Sequence, residues 1–194
     1  KVETATRYVA GLGLGTTVRP LVGHLGETVS PRELEACDVV FSCVDRHTPR
    51  AILNRHAYAA AVPVIDMGSA FRVDETGRVV AGAGRVVVIG PGRRCLACWG
   101  HLDPARLRLE ALSEAERTAQ AAEGYVAGAD VPQPSVIAFN TMLAGSAVIE
   151  MLRLVTQFAG TNDPPARLAF DFITGTVKRN TLSTPAACAI CKPG

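Results

Sequence analysis

The sequence predicts an α/β fold: a mixed sheet, parallel at one end with antiparallel additions, a long helix late in the chain and a four-cysteine clamp. Three observations carry this. A β-prone strand, a helix and a second strand follow one another over residues 38–66, and that order makes the two strands parallel. Further β-prone segments separated by tight turns come next, as antiparallel additions do. Two Cys-x-x-Cys pairs, Cys95/Cys98 and Cys188/Cys191, stand far apart in the chain.

Taken in order, Val2, Ala5, Val9 and Leu12 recur at helical spacing, and Gly13 and Gly15 end that helix. Val18–Val22 reads as a short strand and Pro31–Leu34 as a helical turn. Asp38–Val44 is a β-prone run leading into Asp45. Thr48 is placed to cap the next helix, with Pro49 at its first position, and this helix reaches about Ala61. Pro63–Asp66 is the second strand, ended by Met67-Gly68. Ala70–Val73, Val79–Ala83 and Arg85–Ile89 are strands, with a hairpin turn at Asp74–Gly77. Pro104–Ala122 is helical with a break near Ser113, and Glu123–Gln133 is a loop. Pro134–Phe158 is one long helix, capped from Gln133-Pro134-Ser135. Gly160–Pro165 turns the chain, and Leu168–Phe172 pairs with Thr176–Arg179 across Thr174-Gly175. The organisation is one unit over residues 1–194. Residues 1–90 form the α/β core, 91–133 the first knuckle and crossover region, and 134–194 the long helix, hairpin and second knuckle.

The chain has 194 residues, 48% hydrophobic and 20% charged, with a net charge of +2. A sizeable core is therefore available, and strong attraction to nucleic acid or an anionic membrane is not expected. Val136–Phe158 is interrupted by Asn140, Glu150, Arg153 and Gln157, which suits a buried helix better than a bilayer span. No signal peptide opens the chain. Cysteines grouped as Cys-x-x-Cys suit a reducing compartment, so a cytoplasmic protein is expected. Lys1 begins a helix already under way, so a preceding segment is expected.

The four cysteines are the sharpest chemical signal. Each pair forms a knuckle presenting two thiolates, and two knuckles complete a tetrahedral sulfur shell for one structural zinc ion. The second pair lies in a proline-containing tail with few large apolar residues, where a metal clip adds stability. A disulfide, a redox pair and an iron–sulfur site are the alternatives.

The second centre is Ser42–Asn54. Asp45 follows an apolar strand and precedes a helix, at the strand edge where open α/β sheets bind ligands. A carboxylate there can hold Mg²⁺, which grips nucleotide phosphates. Arg50 and Asn54 lie four apart and share one helix face. Read without partners, the three are a turn residue, a solvated charge and a helix-surface residue. Asp66 and Asp171, which end or interrupt strands, suit local hydrogen bonding. Cys37 and Cys43 read as packed beside the strand.

These features together resemble the adenylating family that includes ThiF, the molybdopterin-synthase-activating enzymes and the ubiquitin-activating enzymes. The resemblance rests on Lys1-Val2-Glu3, which matches the lysine that opens the helix before the family's third strand, and on Cys43-Val44-Asp45 with Arg50 and Asn54. It also rests on Pro63–Gly68, the four cysteines and the helix over Pro134–Leu154. It covers nearly the whole chain. It implies a Rossmann-like fold and ATP-dependent adenylation of a carboxylate, usually the C-terminus of a ubiquitin-like sulfur-carrier protein, in close variants that of a peptide. Asp45 would hold Mg²⁺ and Lys1 would contact the ATP phosphates. Arg50 and Asn54 would orient the Asp45 loop or the carrier's tail. Thus Asp45 and Arg50 are the candidate catalytic residues, and Lys1, Asp45 and Asn54 the candidate nucleotide-binding ones. A homodimer is expected.

The sequence also departs from that pattern. The family's glycine-rich loop, ribose-binding acid and Asn-Arg segment are not in it, so the N-terminal nucleotide-binding half is expected to be missing from this fragment. The fragment alone is then expected to be inactive. Residues 121–132 contain no cysteine for a thioester or persulfide step, so the intact parent is expected to stop at the adenylate. Arg46 stands where many relatives have asparagine. The alternative function is a non-catalytic zinc-stabilised binding or dimerisation module.

Overall fold

The computed structural model describes residues 1–113, 115, 116, 118, 136–160, 166–181 and 187–192. Helix α1 spans Val2–Gly11 and buries none of its residues. A 3₁₀ turn follows at Pro31–Leu34, where the Ser30 hydroxyl accepts from the Arg32 amide. The core elements are β1 (Val40–Ser42), α2 (His47–Ala59), β2 (Val64–Val73) and β3 (Val79–Ile89). Then come α3 (Pro104–Ala111), α4 (Ile137–Thr156), β4 (Ala166–Asp171) and β5 (Thr176–Thr181).

One mixed sheet runs in the order β1-β2-β3-β4-β5. β1 and β2 are parallel, joined through α2, and the other pairs are antiparallel. The two faces follow from strand alternation. One face carries Val40, Val64, Val87 and Ile89, which form a core with Leu53 and Ala57 of α2 and with Leu96 and Trp99. The other carries Ile65, Val86, Val88 and Phe170, packed with Leu143 and Ala147 of α4. Phe139 and Phe172 stack at 4.4 Å beside this second core, with Phe71 against both.

Several elements differ from expectation. Val18–Val22 forms no strand: no neighbour offers it a ladder, and Leu21 and Val22 stay exposed. β2 does not stop at Met67-Gly68 but continues to Val73, because β3 pairs with it residue by residue through Gly68↔Arg85. The cross-strand ladder outweighs the low β-propensity of one glycine. Similarly, Val79–Ala83 and Arg85–Ile89 are one strand. The Asp74–Gly77 turn is as expected, with the Asp74 carboxylate accepting from the Thr76 and Arg78 amides and Gly77 at positive φ.

The long helix is shorter and far less buried than expected. Only Leu143, Ala147 and Glu150 of α4 are buried. One stripe packs on β2 and β3, while Ile137, Val148, Ile149, Leu152 and Val155 are exposed. By length and composition α4 could cross a membrane. Here it lies along the sheet, and its Glu150 is bonded by Arg179 at 2.9 Å. The expected cap at 133–135, the loop at 123–133 and most of the turn at 160–165 lie outside the described residues.

Candidate functional site

The four knuckle cysteines converge although 93 residues separate the partners. All four sulfurs lie within 4.8 Å of one another. Cys95–Cys188 and Cys98–Cys191 are each 3.8 Å apart, too far for a disulfide. A tetrahedron with Zn–S bonds of about 2.3 Å has S···S edges of about 3.8 Å. The N–H groups of Cys191 and Ile190 lower the Cys188 thiol to about 6, whereas burial raises the thiols of Cys98 and Cys191, so the fit to a metal rests on the sulfur spacing. Residues and spacing thus fit one metal ion, held by Cys95, Cys98, Cys188 and Cys191.

The knuckle is coupled to α2. Asn54, fully buried, accepts the Leu96 amide through Oδ1 at 2.8 Å. The Tyr58 hydroxyl donates to the Arg93 carbonyl at 3.2 Å. Trp99 packs into the core, flanked by the Arg167 guanidinium at 5.1 Å and that of Arg94 at 5.9 Å.

Asp45 lies in the turn between β1 and α2, exposed, with no hydrogen bond or ion pair among the described residues. The turn is held from two sides. From within, Arg50 donates through Nη2 to the Val44 carbonyl at 2.6 Å and through Nε to Asp66 Oδ1 at 2.8 Å. From outside, Glu110 of α3 accepts the His47 and Thr48 amides at 2.8 and 2.7 Å. Thr48 therefore does not cap α2, because a remote carboxylate takes the orphan amides of its first turn. Burial would raise the Glu110 carboxyl, but the Thr48 and His47 donors and nearby Arg46 outweigh it and hold it below the ordinary value. The Asp103 amide donates to His47 Nδ1 at 3.2 Å, and burial and Arg50 lower the His47 imidazole.

Asp66 is the hub beneath this turn. It is fully buried and takes Ser42 Oγ at 2.9 Å, Arg50 at 2.8 Å and Arg85 at 3.4 Å. Sequence reading placed local hydrogen bonding at Asp66 but missed Ser42, Arg85 and Glu110. A carboxylate at a buried strand position needs a cation, and an arginine inside the apolar Val79–Ile89 run was the available signal.

The candidate residues therefore fall into separate places. Arg50 and Asn54 are buried on one face of α2, one holding the Asp45 turn and the other the knuckle. Lys1 is exposed at the start of α1, and its side chain forms no hydrogen bond or ion pair with Asp45 or any other group among the described residues. Cys37 is half-buried against the core, as expected. Cys43 is exposed, its sulfur 4.0 Å from that of Met67, because it sits one residue past the end of β1.

A mixed sheet with an exposed carboxylate beyond its parallel strand, tied through one helix to a cluster of four cysteines, defines an α/β protein whose cysteine cluster could hold a metal ion. Its family follows from comparison. The chain belongs to the ThiF family, whose model matches residues 1–190, a family of adenylating enzymes. Solved structures of MccB share the fold. MccB from E. coli with AMPCPP and MccA is 12% identical, with a TM-score of 0.62 over 98% of this chain and 50% of that one. MccB from E. coli with MccA-N7isoAsn is 12% identical, with a TM-score of 0.67 over 99% and 51%. The microcin C7 biosynthetic enzyme MccB with N-formylated MccA is 11% identical, with a TM-score of 0.66 over 98% and 51%. At these identities the likeness is one of fold, and the chain spans about half the length of those structures. No curated protein matches it.

Proposed function

We propose that the chain supplies the carboxylate-activating part of an ATP-dependent adenylating enzyme. The acceptor is the C-terminus of a ubiquitin-like sulfur-carrier protein or of a peptide. The observation that carries this reading is the Asp45 turn. A carboxylate with no partner among the described residues stands exposed while the backbone around it is fixed by Arg50 within and Glu110 outside. A residue meant only for structure would not be left free at the centre of so constrained a turn.

In this reading Asp45 would hold Mg²⁺, which when bound would neutralise charge at the ATP phosphates. Arg50 acts as a positioning residue, because its bond to Val44 fixes the peptide just before Asp45. Lys1 contributes a phosphate contact. Asn54 acts at one remove, keeping the α2 face in register with the knuckle. The acceptor carboxylate attacks the α-phosphate of ATP and pyrophosphate leaves, a reaction served by positioning and charge stabilisation. MccB structures containing ATP and MccA fit an ATP-plus-peptide reading. Zinc in the cysteine clamp is structural here, since four thiolates leave no open coordination position.

ATP–pyrophosphate exchange by the intact parent protein, carrying the nucleotide-binding half, tests this, with Gly-Gly-terminated carrier proteins and short peptides as acceptors. Asp45→Ala is expected to lower exchange by roughly a hundredfold or more. Exchange that survives Asp45→Ala at full rate overturns the assignment.

A second reading, a zinc-stabilised dimerisation module, is favoured by the apolar side of α4. Ile137, Val148, Ile149, Leu152 and Val155 expose a stripe at helical spacing, and Gly145 beside it allows close approach of another helix. A second copy is its proposed occupant, and the two readings are compatible.

A further inference from the structure

Three arginines gather on the sheet face that carries α2, and one buried carboxylate, Asp66, pairs with two of them, Arg50 and Arg85. Asp66 Oδ1 is taken by Arg50 at 2.8 Å, leaving Arg85 the other oxygen at 3.4 Å. Arg167 stands on the neighbouring strand, with β4 in register so that Arg167 faces Val87 and Ala169 faces Arg85. The two arginines are thus diagonal neighbours, within reach of one ligand. Arg167 Nη1 lies 3.5 Å from His101 Nε2. The Nε atoms of Arg85 and Arg167 are buried and have no hydrogen-bond partner among the described residues.

We propose that Arg85 and Arg167, with His101 beside them, form the subsite that receives the free C-terminal carboxylate of the acceptor. This rests on the adenylation reading above and names where its substrate docks.

The charge count points to an anion. Among the described residues Asp66 is the one carboxylate paired with Arg50 and Arg85, and Arg167 beside them has no acidic partner. His101 adds none, because burial and then Arg85, Arg167 and Arg50 pull its imidazole down to about 3. A neutral ring can accept a hydrogen bond from Arg167 and orient it. Cations crowded together in partial burial are unfavourable until an anion arrives. The guanidinium fork matches a carboxylate in plane and spacing. The site is also reachable: the Arg85 side chain is 21% exposed.

Local structure favours the same geometry. The Arg85 guanidinium lies across β2 over Gly68, 3.0 Å from where a side-chain carbon at 68 would sit. Glycine therefore leaves the space that lets Arg85 reach Asp66. The subsite also adjoins the proposed centre. Arg50 shares Asp66 with Arg85 and bonds the Val44 carbonyl next to Asp45. A carboxylate bound here would lie beside the turn that positions the phosphates.

Trp99, the single tryptophan, reports on the site because Arg167 lies 5.1 Å from its ring. The protein, saturated with zinc, is titrated with a short peptide ending in Gly-Gly-COOH, with its C-terminal amide, and with pyrophosphate. The acid is expected to change Trp99 emission saturably and to bind at least tenfold more tightly than the amide. Arg85→Gln and Arg167→Gln, checked for folding by circular dichroism, are each expected to weaken it roughly tenfold. Equal binding of acid and amide, or no response in the native protein, overturns the proposal. Pyrophosphate binding at these arginines without peptide binding makes the site a phosphate site and overturns it as well. The outcomes separate from those of the adenylation reading. Exchange that depends on Asp45 with acid and amide bound alike removes this subsite alone. Selective binding of the acid with exchange indifferent to Asp45 removes the catalytic reading and leaves the subsite.

Discussion

The side chain of Asn54 accepts the backbone amide of Leu96 at 2.8 Å, with both residues fully buried. One bond thus joins the helix that follows Asp45 to the loop bearing the first cysteine knuckle. Asn54→Ala leaves the Leu96 amide buried without a partner, at a cost of about 1–3 kcal/mol. Urea denaturation is expected to show that loss. A stability change within about 0.5 kcal/mol would mean that water replaces the bond.

The clamp gives a second prediction. The protein is expected to hold one zinc per chain by elemental analysis, and Cys188→Ser to abolish stoichiometric binding. Chelation is expected to lower Tm and shift Trp99 emission to the red, because Trp99 follows Cys98 directly and packs into the core. A metal-free protein with unchanged Tm would make the clamp dispensable to the fold.

What the sequence disclosed divides along a physical line. The parallel β1–α2–β2 unit, the β4–β5 hairpin and the convergence of four cysteines were all legible, because each is written in local pattern or spacing. The burial of α4 was misjudged, since apolar composition alone does not say how many sides of a helix meet a partner. The extension of β2 through Gly68 was missed because it depends on β3, a nonlocal pairing. The same limit hid the candidate site's supports. Asp66 draws on Ser42, Arg50 and Arg85 from three elements, and Glu110 reaches α2 across 62 residues. Asp45 was conspicuous for the opposite reason: its strand and helix are adjacent in sequence.

Arg50 and Asp45 should separate stability from activity. Arg50→Ala leaves the buried Asp66 with the Ser42 hydroxyl and only the longer Arg85 contact as its ionic partner, and is expected to destabilise by about 3–5 kcal/mol. Asp45→Ala, at an exposed position without partners, is expected to change stability by no more than about 0.5 kcal/mol while exchange collapses. Denaturation curves and pyrophosphate exchange on both variants check this. A strongly destabilised Asp45→Ala would assign Asp45 to structure instead.

Glu110 makes stability depend on pH in a stated direction. Its folded carboxyl sits below the ordinary value, so the unfolded chain binds the proton more readily. Its contribution is complete above the ordinary glutamate pKa of about 4.3 and is lost as pH falls through the lowered folded value. Glu110→Gln removes the charged cap from the His47 and Thr48 amides, at about 1 kcal/mol near neutral pH. Thermal denaturation of both proteins from pH 7 down to pH 3 is expected to show their Tm gap narrowing with acidity. A constant gap would mean that Glu110 supports α2 through packing and not through its charge.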